Sequence, residues 1–198
     1  MNISRSLALA ILSSAVTSTA FASDNWYLGA LYNSQDYAVY GRHFNTAGLV
    51  AGYEFNQYFS LEGRYGVGTS GYETVYDITE DTETSYKEDI DTQYSLFIKG
   101  SYPIDDSLSI YGLVGYSETD LEVNGYAQFV DENALTLVSY PIGLTQTDKG
   151  LSYGLGLSYK INAKFSIFAD YQVLPDFEPT PDYSRSWKSK NIGISYKF

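Results

Sequence analysis

The stretch NIGISYKF, residues 191–198, alternates between two kinds of residue. Ile192, Ile194, Tyr196 and Phe198 share one parity, and the residues between them are small or polar. Successive side chains of a β-strand point to opposite faces. The pattern therefore predicts a strand with one apolar face and one polar face.

The same alternation recurs along the chain in segments of about ten residues, the length that a tilted strand needs to cross hydrocarbon. The predicted strands lie near residues 25–33, 46–55, 59–68, 93–102, 108–117, 150–160, 165–173 and 187–198. They predict an all-β protein, an eight-stranded antiparallel up-and-down transmembrane β-barrel.

The two faces differ in a way that indicates which one is inside. The apolar parity carries no charge in the first seven segments or from Ile192 to Phe198, where Lys188 and Lys190 precede it, whereas the other parity is rich in glycine and serine and holds seven charged residues. A soluble β-sandwich, the alternative, would turn long charged side chains rather than rows of glycine toward water. An eight-stranded membrane barrel has an interior that side chains fill. We therefore predict a lumen of small residues and paired charges: Glu54, Glu62, Arg64, Lys99, Lys160, Asp170 and Lys197.

The first residues predict export. Arg5 precedes the apolar run 7–12, and Ala20-Phe21-Ala22 forms an A-x-A cleavage site. We predict a signal peptide over residues 1–22 and a barrel domain over residues 23–198. The formal net charge of -12 argues against nucleic acid as a partner. No residue pattern calls for a cofactor.

Short and long connections alternate between the predicted strands, and long loops face the outside in membrane barrels. The long ones, 33–45, 69–92, 118–149 and 174–186, are the predicted contacts for a host or surface ligand. In loop 118–149 the apolar, strand-like stretch 126–143 predicts a hairpin that projects above the bilayer, where it either offers an edge to a partner or packs on itself. Pro175, Pro179 and Pro181 are expected to stiffen loop 174–186.

Loop 69–92 is strongly acidic, and carboxylates can collect divalent cations. It has no EF-hand spacing, so a solvated acidic loop is the favoured interpretation and no metal site is predicted. Weak candidate ligands would be Asp77, Asp81, Asp89 and Asp91.

The single histidine, His43, lies near Arg42 and Asp36 in loop 33–45. A hydrolase would need a nucleophile and an orienting carboxylate beside it. No serine stands two residues after His43, the local pairing that we would seek in a lipid deacylase. We predict that the protein is not an enzyme.

Three stretches resemble a known superfamily. AGLVAGYEFNQYFSLEGRY, residues 47–65, resembles the hairpin of the second and third strands in the small outer-membrane β-barrels that include the OmpA transmembrane domain, OmpX and Ail. NWYLGALY, residues 25–32, and the stretch 191–198 are similar to the first and last strands of that group. The resemblance implies the outer membrane of a Gram-negative bacterium, with lipopolysaccharide and the assembly machinery as partners. It also implies that Tyr196 and Phe198 form the assembly signal.

These observations leave three functional hypotheses. The first is surface interaction, either adhesion or a role in envelope integrity, as the resemblance to Ail and OmpX implies. The second is a narrow, porin-like channel for ions or small solutes. The third is a lipid-modifying enzyme, which is disfavoured because the sequence shows no catalytic nucleophile paired with His43.

Overall fold

A computed structural model describes residues 25–37, 42–79, 82–131, 136–180 and 183–198. The predicted signal peptide lies outside these residues. The described chain forms strands β1 (Trp26–Tyr37), β2 (His43–Glu54), β3 (Phe59–Ser70), β4 (Tyr72–Thr79), β5 (Thr82–Pro103), β6 (Leu108–Asp131), β7 (Thr136–Lys160), β8 (Phe165–Thr180) and β9 (Tyr183–Lys197). No helix among the described residues is long and apolar enough to cross a membrane.

Eight of these strands close into an antiparallel barrel, as predicted. Each strand pairs with the next along the chain, β9 pairs with β1, and β3 pairs directly with β5. The short strand β4 continues upward from β3 after Gly71 and pairs with β5 alone. It adds to the projecting part of the wall without adding a ninth strand to the barrel.

The wall turns its apolar face outward. Leu155 is 68% exposed and Ile98 is 64% exposed, whereas Glu62 is 2% exposed. Only a hydrocarbon solvent makes such an inverted sheet favourable. Two belts of exposed aromatic residues border the apolar band: Trp26, Phe55, Phe59, Tyr102, Tyr159 and Phe165 on one side, and Tyr32, Tyr65, Tyr94, Tyr116, Tyr153 and Tyr171 on the other.

The three short turns share one construction. In the first, the Asn56 side-chain oxygen accepts hydrogen bonds from the backbone N–H groups of Tyr58 and Phe59, at 2.8 and 3.0 Å. Asp105 and Asn162 accept the equivalent pairs of bonds in the other two turns. Asn and Asp favour this local bond, which explains why a tight turn forms at each place. Short turns of this kind face the periplasm in bacterial barrels.

At the other end most of the predicted loops are strand. The β6–β7 ladder continues without interruption to the pair Asp131↔Thr136, which confirms the predicted hairpin in residues 118–149. In residues 69–92, β4 and β5 form a second hairpin, where the sequence predicted a solvated loop. The β4–β5 ladder runs from Tyr72↔Glu88 to Thr79↔Thr82, so this acidic segment is paired backbone rather than a solvated loop.

The lumen holds more large side chains than the sequence analysis predicted. The lower core, at the level of the membrane, consists of Tyr27, Leu31, Val50, Phe97, Tyr111, Leu113 and Phe168. The upper core, at the hairpin end, consists of Phe44, Ile90, Leu121, Leu174 and Trp187. Lumen glycines make room for these rings, so small residues and aromatic residues fill the interior together.

Candidate functional site: the lumen charge cluster and the hairpin end

Four of the seven predicted lumen charges meet in one buried cluster. The Arg64 guanidinium donates to both carboxylate oxygens of Asp170, at 2.8 and 3.2 Å, and its Nε donates to Glu62 Oε1 at 2.8 Å. Lys99 Nζ lies 3.2 Å from Glu62 Oε2. Two cations and two carboxylates therefore balance one another across the lumen.

Hydroxyl and amide groups complete the cluster. Tyr27 donates to Glu62 at 2.5 Å, and Tyr111 donates to Asp170 at 2.8 Å. Gln172 and Asn191 donate to the other Asp170 oxygen. Buried charges are tolerated when they are paired and hydrogen-bonded in this way.

Aromatic rings enclose the two cations. The Arg64 guanidinium carbon lies 5.6 Å from the ring centroids of Phe97 and Phe168, and Lys99 Nζ lies 4.2 Å from that of Tyr111. Both distances are within the range of cation–π attraction. These aromatic residues were not predicted. Phe97 shares the inward parity of Lys99 in β5, and Phe168 shares that of Asp170 in β8, which was the signal that could have found them.

The other three predicted lumen charges lie apart from this cluster. Lys197 pairs with Glu54 near the short-turn end, and both side chains are more than one third exposed. Lys160 is exposed at the same end and forms no ion pair with a described residue.

A polar layer separates the two cores. Gln35 donates to Gln93 at 2.9 Å, and Gln93 donates to Thr119 at 2.8 Å, so a chain of side chains crosses the lumen. Asn33 and Thr46 are buried in the same layer. The lumen therefore contains, from the short-turn end upward, an aromatic core with its charge cluster, a polar layer and a second apolar core.

An ion pair lies beside the upper core. Arg42 contacts Glu88 at 2.9 Å, donates to the Tyr86 hydroxyl at 3.2 Å and stacks on the Tyr72 ring. These contacts tie the start of β2 to the β4–β5 hairpin. Burial raises the pKa of Glu88, and the Arg42 guanidinium counters only part of that effect.

We expect this raised pKa to make the hairpin end less stable as the pH rises. The folded protein holds the Glu88 proton more tightly than the unfolded chain does. Glu88 therefore contributes to the stability of the fold below its unfolded pKa of 4.5, and this contribution is lost as the pH rises through the folded pKa. Glu88→Gln should flatten the dependence of the urea midpoint on pH above pH 4.5. Glu73→Gln, at an exposed position of the same hairpin, is the matched control, and equal pH profiles for the two variants would contradict the assignment.

His43 lies on the surface of the hairpin end. Its Nδ1 is 2.8 Å from Asp36, which also accepts a hydrogen bond from Lys190 at 2.7 Å. The Lys190 ammonium is the main reason that the pKa of Asp36 is lowered. No described hydroxyl group bonds to His43, so a surface ion pair accounts for its contacts.

Of the four weak metal candidates, the structure describes the side chains of Asp89 and Asp91. Asp81 lies outside the described residues, as does the side chain of Asp77. Asp89 pairs with Lys87. Within the described part of the chain, no group of three or more possible ligands could hold a metal ion.

The residues proposed as the assembly signal lie at the closing strand pair. Tyr196 pairs with Leu28 in the β1–β9 ladder, and the Phe198 backbone N–H donates to Trp26 O at 3.1 Å. The rings of Tyr196 and Phe198 pack edge to face with centroids 5.4 Å apart.

An apolar wall, two aromatic belts and a closed ladder define an integral β-barrel of the outer membrane. The chain belongs to the family of outer membrane protein β-barrel domains, whose model matches residues 7–198. No curated protein sequence matches it.

Solved structures share the fold at low sequence identity. Ail of Yersinia pestis is 17% identical, with 88% of this chain and 97% of that chain covered and a TM-score of 0.50. OprG of Pseudomonas aeruginosa is 15% identical, with 88% and 96% covered and a TM-score of 0.52. The neisserial surface protein NspA is 14% identical, with 89% and 98% covered and a TM-score of 0.51. At this identity the likeness concerns the fold alone.

Proposed function

We propose that the protein is a surface interaction protein that binds an extended polypeptide along the free edge of β7. The observation that carries the proposal is the early end of the β7–β8 ladder. Pairing stops at Tyr153↔Val173, whereas the β6–β7 ladder continues upward to Asp131↔Thr136. From Ser152 up to Ile142 the outer edge of β7 pairs with no described strand, and above this stretch Pro141 has no backbone N–H to donate.

The sequence explains why the ladder ends there. Residue 175 would be the next outward-facing partner after Val173, and it is Pro175, which has no backbone N–H to donate. Above this point β8 stays with β9 through the pair Leu174↔Trp187. An unpaired edge exposes backbone donors and acceptors, which an added strand satisfies.

The two faces of the edge indicate the kind of strand that fits. Ile142 and Leu144 lie on the face that continues the lumen surface, because Leu144 pairs with Val123, which packs against the upper core. Leu144 is 65% exposed. On the opposite face β6 presents carboxylates next to the small outward residues of β7, with Glu122 opposite Thr145. A partner strand with alternating apolar and basic side chains matches both faces.

The comparison with Ail supports a ligand-binding surface without fixing its chemistry. Ail was crystallised with the heparin analogue sucrose octasulfate, an anionic ligand. On the outer face of β6, Asp120 and Glu122 lie opposite threonines of β7, and Glu118 lies opposite Lys149, so we propose a basic partner for this chain instead. As part of the same proposal, the buried charge cluster and the two cores keep the lumen closed and the protein acts without catalysis. We also propose that Tyr196 and Phe198 serve as the assembly signal.

We expect trimming of the β6–β7 hairpin to abolish binding of an alternating Val-Lys octapeptide, measured by fluorescence anisotropy. The trimmed variant lacks residues 119–148 and joins Glu118 to Lys149, which are ladder partners, through an Asn-Gly turn. The barrel below keeps its register, so heat-modifiable mobility on gels should be unchanged.

Trimming the other hairpin is the matched control. A variant that lacks residues 75–85 joins the partners Thr74 and Tyr86 and leaves the β7 edge intact. It should retain peptide binding, and a Val-Glu octapeptide should bind neither protein. Peptide binding that survives loss of residues 119–148 would refute the edge as the binding surface.

A further inference from the structure

A cleft opens through the barrel wall where β7 and β8 separate. It has a volume of about 560 Å³ and is lined by residues 147–151 and 153 of β7 and residues 173–176 of β8. Its floor is the last ladder pair, Tyr153↔Val173. The Cβ of Pro175 is 3.4 Å from the position that a Cβ on Gly150 would take, so the two strands approach each other without pairing.

The cleft lies at the boundary between hydrocarbon and headgroups. Tyr153 belongs to the upper belt of exposed aromatic residues, and Leu151 beside it is 66% exposed toward lipid. Aromatic belts mark the membrane–water interface in barrels. An alkyl chain from the surrounding leaflet can therefore lie against Leu151 and Tyr153 at the mouth of the cleft.

The inner side of the cleft is acidic. Asp148 pairs with Thr119, whose side chain is buried in the lumen, so the Asp148 carboxylate lies on the inner side of the wall. Its Oδ2 is buried and has no hydrogen-bond partner among the described residues, and its Oδ1 is 3.4 Å from the Gln146 amide nitrogen. Burial raises the pKa of Asp148. Asp176 adds a second carboxylate to the lining, whereas Lys149 lies on the opposite face of β7.

We infer that this cleft binds an amphiphile with an ammonium head group, with the head at Asp148 and the alkyl chain along Leu151 and Tyr153. A charged donor satisfies a desolvated carboxylate oxygen that would otherwise lack a partner. The apolar residues at the mouth of the cleft contact the alkyl chain, and the carboxylates inside the cleft favour a head group with a positive charge. This site uses side chains at the lower end of the free edge of β7, whereas the peptide proposed above would bind backbone groups from Lys149 up to Ile142.

Bromine quenching of tryptophan fluorescence provides a local test. The chain has two tryptophans, so Trp26→Phe leaves Trp187, which pairs with the cleft residue Leu174. In non-ionic alkyl maltoside micelles, 11-bromoundecylamine and 11-bromoundecanoic acid present the same tail with opposite head charges. The amine should half-quench Trp187 at a concentration about tenfold or more below that of the acid, the factor expected for a hydrogen bond to a charged group.

Two substitutions separate head recognition from tail recognition. Asp148→Asn should remove the preference for the amine, whereas Asp106→Asn, the same charge change in a short turn at the other end, should leave it unchanged. Gly150→Leu fills the cleft and should abolish quenching by both compounds. Each variant is checked for folding by heat-modifiable gel mobility.

Equal quenching by the amine and the acid in the parent protein would overturn the inference, and so would an unchanged preference in Asp148→Asn. If Asp148→Asn does not fold, quenching that persists in Gly150→Leu would overturn it. Peptide binding is measured separately, on the variants with and without residues 119–148, so the peptide edge and the cleft are tested by different results.

Discussion

Arg64→Met should destabilise the barrel by about 3 to 5 kcal/mol, the cost of breaking a buried ion pair by removing one partner. Arg64 is 8% exposed and balances Glu62 and Asp170 at the same time. Its removal leaves two buried carboxylates with one nearby ammonium, that of Lys99. The measurement is urea unfolding of the protein refolded into phosphatidylcholine vesicles, followed by tryptophan fluorescence.

A second substitution tests whether the loss comes from the unbalanced charge. Asp170→Asn in the Arg64→Met background restores neutrality and leaves the Glu62–Lys99 pair intact. The double variant should be more stable than Arg64→Met alone, a coupling that a double-mutant cycle measures directly.

An exposed ion pair provides the matched control. Lys197→Met breaks the Glu54–Lys197 pair, whose side chains are 36% and 39% exposed, and should cost no more than about 1 kcal/mol. Two results would contradict the structural role of the cluster. The first is a loss of stability in the Arg64→Met, Asp170→Asn variant that equals the sum of the two single losses, and the second is an equal loss for Arg64→Met and Lys197→Met.

The alternating pattern was sufficient to predict the wall of the barrel because the membrane imposes it strictly. Each lipid-facing position must be apolar, and each backbone group must be paired within the wall. Parity also placed Glu62, Arg64 and Asp170 on the inside. It could not show that Arg64 reaches Asp170, 106 residues away, since contacts across a lumen depend on the tilt and stagger of all the strands.

The same limit explains what was missed inside the lumen. Tyr27 and Tyr111 break the rule that inward residues are small, so they were passed over in favour of glycine and serine. At the hairpin end the relevant signal was a single residue. Pro175 was expected to stiffen a loop, whereas the structure places it inside β8, at the point where the β7–β8 ladder ends. The missing backbone N–H of Pro175 indicates the end of the ladder only when β7 is known to lie beside it.

Two glycines test whether the lumen glycines are required by the rings beside them. An added Cβ on Gly52 would lie 2.2 Å from Tyr27 Cζ, and the three nearest atoms all belong to the Tyr27 side chain. On Gly100, which faces lipid, an added Cβ would meet nothing within 4 Å. Gly52→Ala should therefore cost about 1 to 3 kcal/mol through overpacking. Gly100→Ala should be neutral or slightly stabilising, because glycine in a strand carries an entropic cost.

The loss at Gly52 should extend to the charge cluster, since the displaced ring carries the hydroxyl that donates to Glu62. Tyr27→Leu replaces the ring with a shorter side chain and relieves the clash. Gly52→Ala should therefore reduce the stability less in the Tyr27→Leu background than in the wild type. Urea unfolding in vesicles gives all four free energies of the cycle. Equal effects of alanine at Gly52 and Gly100, or additive effects of Gly52→Ala and Tyr27→Leu, would show that strand entropy rather than ring packing selects glycine in the lumen.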